Sequence, residues 1–137
     1  GGRMRDERKD EGGRMRDEGG RVDLIRRTKR FALDVIALYS SLPNNTVAQV
    51  LGKQLLRSGT SVGAQYREAQ RAKSNADFIS KIEGSLQELD ESAYWLELLA
   101  ESATSTKVSL HPVHRETQEL IAIFTTIVKT VKTRKRP

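Results

Sequence analysis

A chain of 137 residues, 36% of them hydrophobic, has the length of one domain and enough apolar material for a core of its own. It has no cysteine, which excludes disulfide staples and thiol chemistry and fits a reducing, cytoplasmic setting; no apolar run approaches the roughly 18 residues of a membrane span, and no apolar signal region opens the chain. The net charge of +6 is uneven: residues 22–73 hold nine Lys/Arg against three Asp/Glu, residues 74–128 three against nine, and residues 129–137 five against none.

Residues 1–21 carry a direct repeat. Gly1-Gly2-Arg3-Met4-Arg5-Asp6-Glu7 recurs as Gly12-Gly13-Arg14-Met15-Arg16-Asp17-Glu18. So charged and glycine-rich a segment has too little apolar surface to offset the entropy of ordering. It reads as a disordered leader, or as a segment added ahead of the native start.

From Val22 the pattern is helical. Leu24, Thr28, Phe31, Val35, Leu38 and Leu42 are spaced by fours and threes, with Asp23 as the expected N-cap. Pro43-Asn44-Asn45 ends this helix, and Asn45 or Thr46 caps the next. The second seam runs through Leu51, Leu55, Ser58, Val62, Gln65, Ala69 and Ala72. Ser74-Asn75-Ala76-Asp77 fits a capping box for a third helix, with Ile82, Leu86, Leu89, Ala93, Leu96, Ala100 and Ala103 on its seam. Pro112 suits the first turn of a fourth, whose seam is Val113, Thr117, Leu120, Phe124, Ile127 and Val131.

Four segments of about 20–30 residues with short connections and no strand-like alternation predict an all-α, antiparallel up-down-up-down four-helix bundle. The bundle is expected over 22–131, with a basic tail at 132–137. Apolar residues outside the seams recur on several helices: Leu33 and Ala37 on the first, Tyr94, Trp95 and Leu98 on the third, Ile121, Ile123 and Val128 on the fourth. A second stripe of this kind predicts self-association, with Tyr94, Trp95, Leu98, Ile121, Ile123 and Val128 at the contact.

Gly59 and Gly63 sit four apart inside the second helix, where each costs about 1 kcal/mol against Ala. Close approach of a neighbouring helix would offset that cost. Arg57, Ser61, Gln65 and Glu68 share one face of this helix, and Glu88 and Glu91 are three apart on the next. Together they predict a polar layer that sets helix register. A di-metal site in a bundle would need Glu-x-x-His motifs, and there are none. His111 and His114 lack a third ligand nearby, so no metal, cofactor or catalytic site is predicted.

The basic residues open the first helix (Arg26, Arg27, Lys29 and Arg30) and close the fourth (Lys129, Lys132, Arg134, Lys135 and Arg136). In an up-down bundle both clusters, and Lys73 at the end of the second helix, fall at one end. That end is a candidate phosphate-contact surface. The competing reading is a solvated tail, with basic and acidic helices attracting one another.

The stretch from Leu55 to Ala69 (LLRSGTSVGAQYREA), Ser74 to Lys81 (SNADFISK) and Glu88 to Glu97 (ELDESAYWLE) resembles, in order and spacing, the four-helix-bundle proteins encoded in intervening sequences of bacterial 23S rRNA genes. Gln65 stands where that pattern usually has Asn. The resemblance covers about residues 22–130. It implies a ring-forming homo-oligomer, typically a pentamer, and kinship with the accessory variability determinant of diversity-generating retroelements, a basic bundle that binds a reverse transcriptase and nucleic acid. The expected role is therefore that of a non-enzymatic, RNA- or DNA-associated accessory protein; the alternative is an interaction scaffold for a partner such as a reverse transcriptase.

Overall fold

A computed structural model describes residues 17–102 and 109–135, with backbone alone at 17–22 and 135. Arg136, most of the repeat segment and Ala103 lie outside the described residues. Four helices account for almost all of these residues: α1 Asp17–Ser40, α2 Thr46–Gln70, α3 Asn75–Glu101 and α4 His111–Lys135. There is no strand among the described residues.

All six residues of the first predicted seam are buried, from Leu24 to Leu42. Thr28 is tolerated there because its hydroxyl donates to the Leu24 carbonyl at 2.7 Å, which leaves its methyl for the core. The helix begins at Asp17, ahead of the expected Asp23 cap. At its end the N–H groups of Ser41 and Leu42 bond three residues back, tightening the last turn before Pro43. The next two starts follow the capping rule. The Asn45 side chain accepts from the Ala48 N–H at 2.9 Å, and the Ser74 hydroxyl from the Asp77 N–H at 3.0 Å. At the far end α4 continues through Lys135, so Lys132 and Arg134 are helical rather than part of a tail.

The second seam needs one correction. Tyr66 is buried and stacks on Phe124 of α4, ring centroids 5.5 Å apart, while Gln65 is only half-buried. A single stripe was expected, but α2 packs against both α1 and α3, so its buried face is wide. Gly52, Gly59 and Gly63 face α1, Ser58 and Gln65 face α3, and Tyr66 fills the middle. On α3, Ile79, Ser85, Ser92 and Leu99 join the core, while Leu86 is half-buried and Ala100 exposed. One hydrophobic cluster joins all four helices. Full burial of a Leu, Ile or Phe such as Leu55, Ile82 or Phe124 contributes about 1.5–3 kcal/mol.

Contacts run in opposite senses along neighbouring helices. On α2 and α3, Glu68 meets Lys81, the Val62 carbonyl meets Ser85, and Ser58 meets Ser92. On α1 and α2, Thr28 lies against Gly63, Val35 against Gly59 and Leu42 against Gly52. On α3 and α4, Glu83 meets Lys132 and Glu97 meets His114. The α2–α3 pair packs most extensively and α1–α4 least.

Candidate nucleic-acid interface

The predicted basic cluster does not hold together. Arg27 turns to α4, where its guanidinium donates to both carboxylate oxygens of Glu116 (2.7 and 2.9 Å) and to Glu119 (2.7 Å). The hydrogen bond to Glu116 holds the Arg27 pKa above its usual value, against the opposing effect of partial burial. Lys132 reaches Glu83 on α3 at 3.2 Å. Lys132 also lies roughly 20 Å further along α4 than Glu119, at 1.5 Å per helical residue. The contacts therefore tie the middle of α1 to the first half of α4, not to its basic end.

The remaining cations divide by helix. Arg26, Lys29 and Arg30 on α1, Lys53 and Arg67 on α2, and Arg71 and Lys73 just beyond it are exposed, with no acidic partner among the described residues. On α4, Lys129 and Arg134 are likewise exposed and without an ion pair among the described residues. Of the nine cations in 22–73, only Arg27 and Arg57 are matched to carboxylates. On the acidic side, Glu83, Glu88, Glu91, Glu116 and Glu119 all pair with Lys or Arg, and Glu97 faces His114. Internal pairing, to Arg27, Arg57, Lys132 and His114, therefore engages most of the acids of 74–128 and few of the bases of 22–73. Lys53, Arg67 and Arg71 were not singled out from the sequence. That Glu68 pairs with Lys81 rather than with Arg57 or Arg71, as the sequence allowed, emerges only once the helices are packed.

The polar layer forms between α2 and α3, with a changed membership. Arg57 bonds Glu91 and lies 3.2 Å from Glu88, an ion-pair distance. The Glu88 Oε1 atom is buried and lacks an aligned hydrogen bond. Gln65 Nε2 donates to Glu88 Oε2 at 3.5 Å, and Glu68 pairs with Lys81 across the helices. Ser61 stays out of the layer, because its hydroxyl donates to the Arg57 carbonyl on its own helix. A second set was missed. Ser58 and Ser92 share a buried hydroxyl–hydroxyl bond of 2.8 Å, and Ser85 donates to the Val62 carbonyl at 2.9 Å. Ser58 on the second seam was the available signal, while Ser85 and Ser92 fall off the predicted third seam.

Among the expected contact residues, Tyr94 is 54% exposed and its ring lies 5.3 Å from that of Trp95. Trp95 is half-buried, with an indole N–H that has no acceptor among the described residues. Leu98, Ile121 and Ile123 are half-buried. Val128 is not a surface residue: it is buried in the core, beside Phe124 on the α4 stripe. Leu33, Ile36, Val47 and Val50 add exposed apolar surface on α1 and α2. A shallow groove between the end of α3 and the start of α4 is lined by Leu96, Glu97, Leu110, His111 and His114. His111 there contacts Arg115 at 2.9 Å, and no grouping of acids and histidines suited to a metal occurs among the described residues.

The family model for the 23S rRNA-intervening sequence protein matches residues 21–126. The chain belongs to that family. The match covers most of α1, all of α2 and α3 and most of α4, and it stops before Lys129, Lys132 and Arg134. A crystal structure of a protein of unknown function from the S23 ribosomal protein family of Bacteroides thetaiotaomicron is similar, with 37% identity and a TM-score of 0.71. The likeness covers 80% of this chain and 97% of that one. No curated protein matches. Membership in the 23S rRNA-intervening sequence family agrees with the four helices seen here.

Proposed function

We propose that this 23S rRNA-intervening sequence protein is a non-enzymatic, RNA-associated accessory protein that works as an oligomer. The observation that carries the reading is the set of unmatched cations on α1 and α2, in a family whose name ties it to ribosomal RNA genes. Clustered Lys and Arg that are not ion-paired within the protein attract a polyanion and release its counterions on contact. The opposed contact ladders between neighbouring helices support an up-down-up-down bundle. Exposed Tyr94 and half-buried Leu98 support association of copies into a ring through the outer side of α3. No helix among the described residues is long and apolar enough to cross a membrane.

Fluorescence anisotropy with a labelled, structured RNA tests the reading. Binding at 50 mM salt should weaken by about 10³-fold or more at 200 mM if six to ten phosphates are contacted. No binding at the lower salt contradicts it.

A further inference from the structure

The reading above leaves open which surface meets the nucleic acid and what form that nucleic acid takes. Two helices supply the unmatched cations, and a close backbone approach sets their separation. A Cβ on Gly63 would lie 2.9 Å from the Thr28 hydroxyl oxygen, and one on Gly59 would lie 2.9 Å from Val35 Cγ2. Glycine at both positions lets α1 lie directly against α2, toward the low end of the usual 8–10 Å between helix axes. The Thr28–Gly63 contact places the Arg26–Arg30 turn beside the 63–67 turn of α2. Arg67 in the last turn of α2 and Arg71 at its C-cap follow, four residues or roughly 6 Å apart. All these cations are exposed.

The helices α1 and α2 offer charge without an exposed aromatic ring, and the half-buried Phe78 of α3 lies beside Lys73. Phe31 and Tyr66 are buried, and Tyr39 is half-buried with its hydroxyl on Gln49 at 2.9 Å. Single strands are held largely by bases stacking on aromatic side chains, whereas double helices are held through phosphates and shape. Resting on the RNA reading, we propose that the paired face of α1 and α2, carried by Arg26, Lys29, Arg30, Arg67, Arg71 and Lys73, binds the phosphate backbone of a nucleic-acid double helix. The basic end of α4 is not the principal contact. The glycine pair would thereby serve recognition, by holding the two cation-bearing helices side by side.

The test uses the full chain and three labelled probes of one sequence: an RNA duplex, the matching DNA duplex and a single RNA strand. One variant combines Arg26→Gln, Lys29→Gln, Arg67→Gln and Arg71→Gln; the control combines Lys129→Gln, Lys132→Gln and Arg134→Gln. Circular dichroism checks that both keep wild-type helix content. The wild-type protein should prefer a duplex to the single strand, and a preference for RNA over DNA would identify the source of the phosphates. The α1–α2 variant should lose at least about tenfold in duplex affinity, with a salt slope lower by about three to four, and the control should change by no more than about threefold. A single-strand preference, or a control variant that loses more than the α1–α2 variant, overturns the inference while leaving RNA association standing. A wild-type protein that binds none of the probes at low salt overturns both.

Discussion

Gly59 shows how one missing side chain governs a helix pair. Ala would gain about 1 kcal/mol of helix propensity over Gly. The added Cβ, however, would meet all three outer carbons of Val35 at 2.9–3.3 Å. Val is stiff at χ1 in a helix, so it cannot swing aside as Leu or Gln would. Gly59→Ala should therefore lower stability by about 1–3 kcal/mol in urea unfolding. In a Val35→Ala background the same change should be neutral or stabilising. A stabilising Gly59→Ala in the otherwise wild-type chain would show that the approach of α1 to α2 is not tight. The glycine pair was legible as a packing signal because the propensity cost demanded an explanation. Gln65 was legible as polar-layer material, but its accommodation was not. An added Cβ on Gly84 would collide with the Gln65 amide oxygen, and that dependence joins two residues from different helices.

At the scale of elements, the weakest packing is between α1 and α4, and there the connection is electrostatic. Arg27 bridges them through a two-pronged bond to Glu116 and a further bond to Glu119, with side chains of the first pair 28% and 27% exposed. Partly covered and two-pronged, this pair belongs at the upper end of the range for surface ion pairs. Arg27→Ala should cost about 1 kcal/mol, and the difference from wild type should shrink at 1 M salt, measured by thermal unfolding. A salt-independent loss would point to packing of the Arg27 stem instead. Helix number, turns and two caps were readable from spacing and from Asn45, Ser74 and Pro112, since these are local signals. The destination of Arg27 was not, because four similar cations stand within five residues and only packing decides which one turns inward.

For the whole molecule, the segment charges were plain from the sequence, but their consequence depends on pairing. Most carboxylates of α3 and α4 are spent on internal pairs, while seven cations of 22–73 remain outward-facing without one. That imbalance moves the candidate interface from the bundle end to the α1–α2 face. It also leaves the outer side of α3, with Tyr94 and Leu98, available for a second copy. Light scattering at tens of micromolar should give a mass well above the 15.4 kDa of one chain, and Tyr94→Arg with Leu98→Arg should reduce it. A monomeric wild-type protein would remove the ring from the account.

Lysine footprinting with and without an RNA duplex separates the α1–α2 face from the end of α4, because the lysines sample each surface in one protein. Acylation of Lys29 and Lys73 should fall when RNA is bound, while Lys81, Lys129 and Lys132 react as before. Protection confined to Lys129 and Lys132, with Lys29 and Lys73 unchanged, would contradict binding through the α1–α2 face.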